Sequence, residues 1–235
     1  MSIFHAVKNT ISVPIHPAGH PFILIFLMFA ICLGVFFGTI FLAVGIVLLV
    51  WCIYFFRNPV RYTPLQTNLV ISPADGMILS ISNLTPPSVL ELEGSDWSKI
   101  SIFMSVFDVH VNRAPMEGRV IKKHYFPGSF FDASLDKASE KNERLALTMA
   151  SNYGKKIAFI QVAGLVARRI LCNISEGDFL KCGQQYGIIR FGSRVDLWLP
   201  NPVGIKILTG QRVYAGETIL ADFDSVKSLS KVRVE

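Results

Sequence analysis

The sequence predicts an α+β protein. A mostly antiparallel, barrel-sandwich-like β domain with one or two helices follows an N-terminal hydrophobic helical hairpin. Three observations carry this expectation. Residues 21–56 are almost entirely apolar. From Leu69 onward, short β-type runs alternate with turn signals. The tail GIKILTGQRVYAGETILADF spaces glycine turns between short strands.

The organisation that follows has three parts: an N-terminal segment over 1–20, a membrane-anchoring hairpin over 21–56, and a domain over 57–235. The apolar run PFILIFLMFAICLGVFFGTIFLAVGIVLLVWCIYFF is far longer than the roughly 7–15 apolar residues of a signal peptide. A buried pair of core helices would show some polar face, and this run shows none. One bilayer crossing takes about 20 apolar residues, so two short helices broken near Gly34 to Gly38 fit best. Full crossing and a dip into one leaflet both suit this length. Lys8 lies before the run and Arg57 and Arg61 after it, which puts both ends on the cytoplasmic face. The expected location is the cell (inner) membrane, with the domain on its cytoplasmic side.

The formal net charge is +6, of which Lys8 supplies one and the domain the rest, spread rather than clustered. No arginine-rich arm or aromatic–basic platform is present, which argues against a nucleic-acid partner. A mildly basic, tethered domain instead suits anionic lipid headgroups. Of the four cysteines, Cys32 and Cys52 sit inside the apolar run; Cys172 and Cys182 lack a zinc-ligand spacing. The five histidines form no ligand pattern with acids, so no metal site is expected.

After Phe56 the prolines of RNP and YTP stop any helix and make a connector. The strand signals are LVIS before PADG, MILSI before NLTPP, ISIFMSVF before DVH, and KIAFIQVAG; GIIRF, RVDLWL, GIKIL and RVYAGETIL close the chain. One helical stretch is expected, over 138–149, where polar SEKNER leads into LALTM. Lysine carriers with a barrel-sandwich fold share the tail's turn pattern. Lys206, however, lies between two isoleucines in a strand-like run, so a carrier role does not follow.

Four stretches can hold chemistry. SPADG (72–76) is a ready turn and presents Asp75. FDVHVNRAP (107–115) sets His110 in an apolar alternation, flanked by Asp108 and Arg113. FPGSFFDASLDKASEKNER (126–144) mixes phenylalanines with cations, apolar surface and donors that suit the two halves of a phospholipid. RFGSRVD (190–196) places Gly192-Ser193 between two β runs. The other two Gly-Ser pairs, Gly94-Ser95 and Gly128-Ser129, lack that setting. No phosphate-binding glycine loop and no GxSxG elbow occurs. Each stretch alone is explained by structure: a turn, a hydrogen-bonded core histidine, a solvated helix, a tight turn.

In order behind an apolar anchor, SPADG, FDVHVNRAP, YFPGSFFDAS…NER and RFGSRVD resemble the short form of phosphatidylserine decarboxylase proenzymes, across essentially all of 57–220. The resemblance implies a pyruvoyl-dependent decarboxylase that converts phosphatidylserine to phosphatidylethanolamine and CO2. It implies self-cleavage between Gly192 and Ser193 into a β chain (1–192) and an α chain (193–235), associated as a heterodimer or higher oligomer. Ser193 becomes the pyruvoyl group, the covalent cofactor that forms a Schiff base with the substrate amine. Asp75 and His110 complete an Asp–His–Ser processing arrangement, and His110 is the acid that protonates the α-carbon. Many longer members carry two histidines three residues apart in this segment; here the second position is Arg113. Either His110 alone serves processing or a different geometry operates. Arg113, Lys122 and Lys123 are candidates for the phosphodiester on charge, and Phe130 and Phe131 for the acyl chains. The rival reading is a membrane-tethered, non-enzymatic module that binds lipid or a protein partner.

Overall fold

A computed structural model describes residues 13–131, 141–164, 169–190, 193–225 and 227–229. The chain divides into two compact units, Met1–Val60 and Arg61–Glu235.

In the first unit a 3-10 turn, Pro17–Gly19, leads into helices α1 (His20–Phe37) and α2 (Thr39–Phe55). They meet at Gly38, whose φ of 90° is open to glycine and strained for other residues. This is the break expected near Gly34 to Gly38. The helices pack closely, since a Cβ on Gly45 would lie 2.6 Å from Ala30 Cα. Two bonds clasp the open end of the hairpin: His16 N donates to Phe56 O at 2.8 Å, and Asn58 N to Pro14 O at 2.7 Å. Leu24, Val35, Phe36, Ile40 and Val47 all point outward, the reverse of a helix that dissolves in water. The span Pro17–Phe37, with 21 residues and mean hydropathy 2.5, is long and apolar enough to cross a bilayer; α2 is shorter.

The second unit is mostly antiparallel β structure, as expected. An eight-stranded sheet runs in the order β13 (Arg212–Val213), β2 (Gly76–Leu84), β3 (Trp97–Met104), β11 (Ser193–Pro200), β7 (Lys156–Ala163), β6 (Arg144–Ala150), β5 (Gly118–Phe126) and β9 (Phe179–Leu180). Two three-stranded sheets accompany it. One is β1 (Leu69–Ile71), β14 (Ile219–Asp222) and β12 (Gly204–Ile205); the other is β4 (Val111–Arg113), β10 (Gln185–Arg190) and β8 (Arg169–Cys172).

Strand β11 is central and buried on both faces. Val195, Leu197 and Leu199 enter the main core with Ile100, Ile102, Phe159 and Ile189. Arg194, Asp196 and Trp198 occupy the opposite face, where Trp198 packs with Trp97, Ala158 and Val162. There Arg194 Nε meets Asp196 at 2.8 Å and Lys99 meets it at 3.2 Å.

One expectation fails. The stretch 138–149 is not a helix from Arg144 onward: Arg144–Ala150 is strand β6, paired with β5 and β7. Residues 132–140 lie outside the described residues. In β6, Leu145, Ala146, Leu147, Thr148 and Met149 are all buried, so the two-residue alternation of a half-exposed strand is lost. A short, wholly apolar run of this kind does not separate strand from helix.

Candidate active site

Ser193 opens β11, directly opposite Met104 on β3 and Ala163 on β7. Ladders on both sides therefore fix its backbone. Gly192 lies outside the described residues. The Ser193 side chain is fully buried, and its hydroxyl donates to the Met104 thioether at 3.4 Å. The same sulfur receives the Asn112 amide at 3.7 Å, and Asn112 Oδ1 accepts from Gln161 Nε2 at 2.8 Å. Ser193 thus rests on a weak acceptor and a neutral amide pair.

His110 reaches this place through the link between β3 and β4. The link begins as a tight turn in which the Asp108 carboxylate accepts from Ser105 N and Oγ, both at 2.8 Å. Arg212 pairs with the other carboxylate oxygen. The His110 ring is fully buried, with Nδ1 2.9 Å from the Asp108 carbonyl. A carbonyl only accepts, so Nδ1 carries the proton and a neutral ring keeps its lone pair on Nε2. Met104 faces Ser193, while Val111 faces Ile188 and Ile189 N donates to His110 O at 3.3 Å. The 105–110 link therefore starts next to Met104, the partner of Ser193, and ends beside Ile189 of β10.

Asp75 stands on the far side of β3. Gly76 after it has a φ of 152°, and a Cβ there would collide with the Phe103 carbonyl, so only glycine lets the PADG turn close onto β3. Met77 faces Phe103, which sets Gly76 beside Met104 and leaves two strand spacings, ~10 Å, to β11. Asp75 Oδ2 accepts from Arg61 at 2.6 Å and Oδ1 from Ala215 N at 2.8 Å. Burial raises the Asp75 carboxyl above its ordinary range, against the opposing pull of Arg61 and the Ala215 amide. Arg61 also meets Glu217 at 3.3 Å, and the Arg113 guanidinium donates to Gly183 O at 3.1 Å. Burial and the neighbouring Arg61 lower Arg113; Asp75 and Glu217 oppose that. Two cations and two carboxylates thus form one cluster beside the site.

The remaining candidates divide. Lys122 and Lys123 lie on β5, the third strand from β11, and the structure does not gather them with Ser193. Lys122 Nζ pairs with Glu91 at 2.9 Å; Lys123 Nζ donates to Ile174 O at 2.6 Å. Phe130 packs against the main core and Phe131 is exposed. Their segment is tied to the site by Asn142, a residue that sequence reasoning missed. Its amide donates to Phe131 O and Ala163 O, both at 2.7 Å, and its Oδ1 accepts from Phe131 N at 2.8 Å. Arg61 was missed too, because the connector gave no sign that it folds back onto Asp75. Burial pushes the Cys182 thiol up to about 11 and raises Cys172 as well, which suits inert structural residues. Among the described residues no three His, Cys, Asp or Glu side chains gather as a metal site.

With this geometry in place, comparison with known proteins is specific. The family model described as "Phosphatidylserine decarboxylase" matches residues 48–221. A curated "Phosphatidylserine decarboxylase proenzyme" from Paramagnetospirillum magneticum is 48% identical over 214 residues, covering 91% of this chain and 89% of its own length. The matched span defines an enzyme of the decarboxylase class. The chain belongs to the phosphatidylserine decarboxylase family.

Proposed function

We propose that this chain is a self-processing, pyruvoyl-dependent phosphatidylserine decarboxylase that yields phosphatidylethanolamine and CO2. The observation that carries this is Ser193: fully buried, first in a central strand, with the His110 link beside it. In processing, the Ser193 hydroxyl attacks the Gly192 carbonyl, His110 Nε2 takes its proton and passes it to the Ser193 nitrogen, and the peptide C–N bond breaks to leave an ester and a free amine. The resulting ester is cut by β-elimination. The dehydroalanine left at 193 then takes up water and releases ammonia, ending as a ketone. The Asp108 carbonyl holds the imidazole, and Asp75 supplies the negative charge that favours its protonated form.

The residues at 193 fit the pyruvoyl group. After the cut, β11 stays laddered to β3 and β7, and the thioether and neutral amides beneath it offer no strong nucleophile. The group supplies the electron sink for loss of CO2. The chain's own work is to exclude water, orient the lipid and return a proton, and His110 is placed for the last. Arg113, which stands with Arg61, Asp75 and Glu217, is the cation proposed for the phosphodiester, whereas Lys122 and Lys123 lie on β5, three strands from β11. Phe130 and Phe131, held by Asn142, face the acyl chains. The two chains remain together as a heterodimer or higher oligomer, anchored by the hairpin in the inner membrane with the domain on the cytoplasmic side.

The test uses full-length protein in detergent micelles with phosphatidylserine labelled in its serine carboxyl. Labelled CO2 and phosphatidylethanolamine are expected. Fully cleaved protein that releases no CO2 overturns the assignment.

A further inference from the structure

We infer that the rim of the active site is itself a bilayer-docking surface, formed by Phe107, Met77, Tyr214, Tyr62 and Arg212. This rests on the reading that the substrate is a membrane phospholipid.

Four large hydrophobic residues stand exposed there, Tyr62 81%, Phe107 62%, Tyr214 49% and Met77 41%, beside the exposed Arg212. Scattered exposed hydrophobes are ordinary, but these are joined. Met77 faces Arg212 across the β2–β13 pair, and Val213 faces Gly76. Arg212 pairs with Asp108, the neighbour of Phe107. The Arg61 guanidinium lies 5.8 Å from the centre of the Tyr214 ring. Tyr62 N donates to Glu217 at 2.9 Å. The five residues therefore adjoin both the turn that carries Asp75 and the turn that carries Asp108 and His110.

Its composition suits a phospholipid surface more than a protein partner. Phe107 and Met77 are apolar throughout, as the acyl boundary requires, while tyrosine hydroxyls and an arginine belong at headgroup depth. The connectivity agrees. Only Phe56–Val60 separate the end of α2 from Arg61, and Arg61 is the residue that binds Asp75. The connector thus enters the domain at Arg61, the partner of Asp75. A lipid whose chains stay in the bilayer can then present its carboxylate at the headgroup plane without being extracted far.

The test compares Phe107→Ser with Tyr214→Ser, combined in the full-length, reconstituted protein, on two substrates. One is long-chain phosphatidylserine in vesicles; the other is monomeric dibutanoyl phosphatidylserine in solution. We expect kcat/KM on vesicles to fall about tenfold or more, the scale of one large apolar side chain left in water, with the soluble substrate unaffected within about twofold. Equal loss on both substrates, or on neither, overturns the docking surface. A parent protein that decarboxylates neither substrate overturns the functional reading instead. In a second measurement, Phe107→Trp adds emission that brominated phospholipids quench; added emission that they leave unquenched also overturns the proposal.

Discussion

Replacing Arg61 by methionine removes the cation that meets Asp75 at 2.6 Å, in a pair whose side chains are only 8% and 6% exposed. Asp75 keeps the Ala215 amide but loses its counter-charge. Breaking a buried pair on one side costs about 3–5 kcal/mol. That cost falls on the ionised form of Asp75, so its carboxyl moves further up. Burial already raises this carboxyl, and the loss of Arg61 acts in the same direction. The sign follows directly. With the folded pKa above the unfolded one, the fold favours the protonated acid. The variant's deficit is then least below the unfolded carboxyl value of about 3.9, grows as pH rises, and is complete above the raised folded pKa. Two assays read this: self-cleavage of freshly synthesised precursor followed by gel from about pH 5 to about pH 10, and Tm over the same range. The cleavage midpoint should move to higher pH, and Arg61→Lys should restore most of the parent's value. Curves for Arg61→Met that overlay the parent's in both assays refute the reasoning.

Other outcomes are equally definite. Ser193→Ala should remain a single uncleaved chain without decarboxylase activity, read by gel and CO2 release; cleavage in that variant would mean that another bond is cut. Asn142→Ala orphans the Phe131 and Ala163 carbonyls and the Phe131 amide, so Tm should fall by an amount equivalent to about 1–3 kcal/mol. KM for phosphatidylserine should also rise while self-cleavage proceeds. Arg194→Met leaves Asp196 buried against Lys99 alone and should cost about 3–5 kcal/mol in thermal unfolding, whereas adding Asp196→Leu should recover part of that loss.

Much of this architecture was legible because it rests on patterns that local sequence carries. The hairpin follows from an apolar run too long for one helix, and its break falls at the glycine the chain needed. Ser193 was expected between two β runs and stands at the start of β11 after β10. Strand β6 was not legible, because burial on both faces erased its alternation. Charge did not reveal the partners of Lys122 and Lys123, which are Glu91 and backbone carbonyls that only the fold brings near. The pairing of Arg61 with Asp75 joins a connector to a turn across the fold, which no spacing rule reveals. The carbonyl that holds His110 is likewise invisible in side-chain motifs. Asn142 read as one polar residue in a solvated stretch, and its three hydrogen bonds depend on the ends of two separate segments.

The central claim is that the chain cuts itself before Ser193 and converts that residue to a ketone. Intact-mass measurement of the purified, folded full-length protein tests it most directly. The account predicts two polypeptides, 1–192 and 193–235, with the second lighter by one ammonia than a chain that begins with serine. A single 235-residue species in folded protein, or a second chain that still begins with serine, would contradict it.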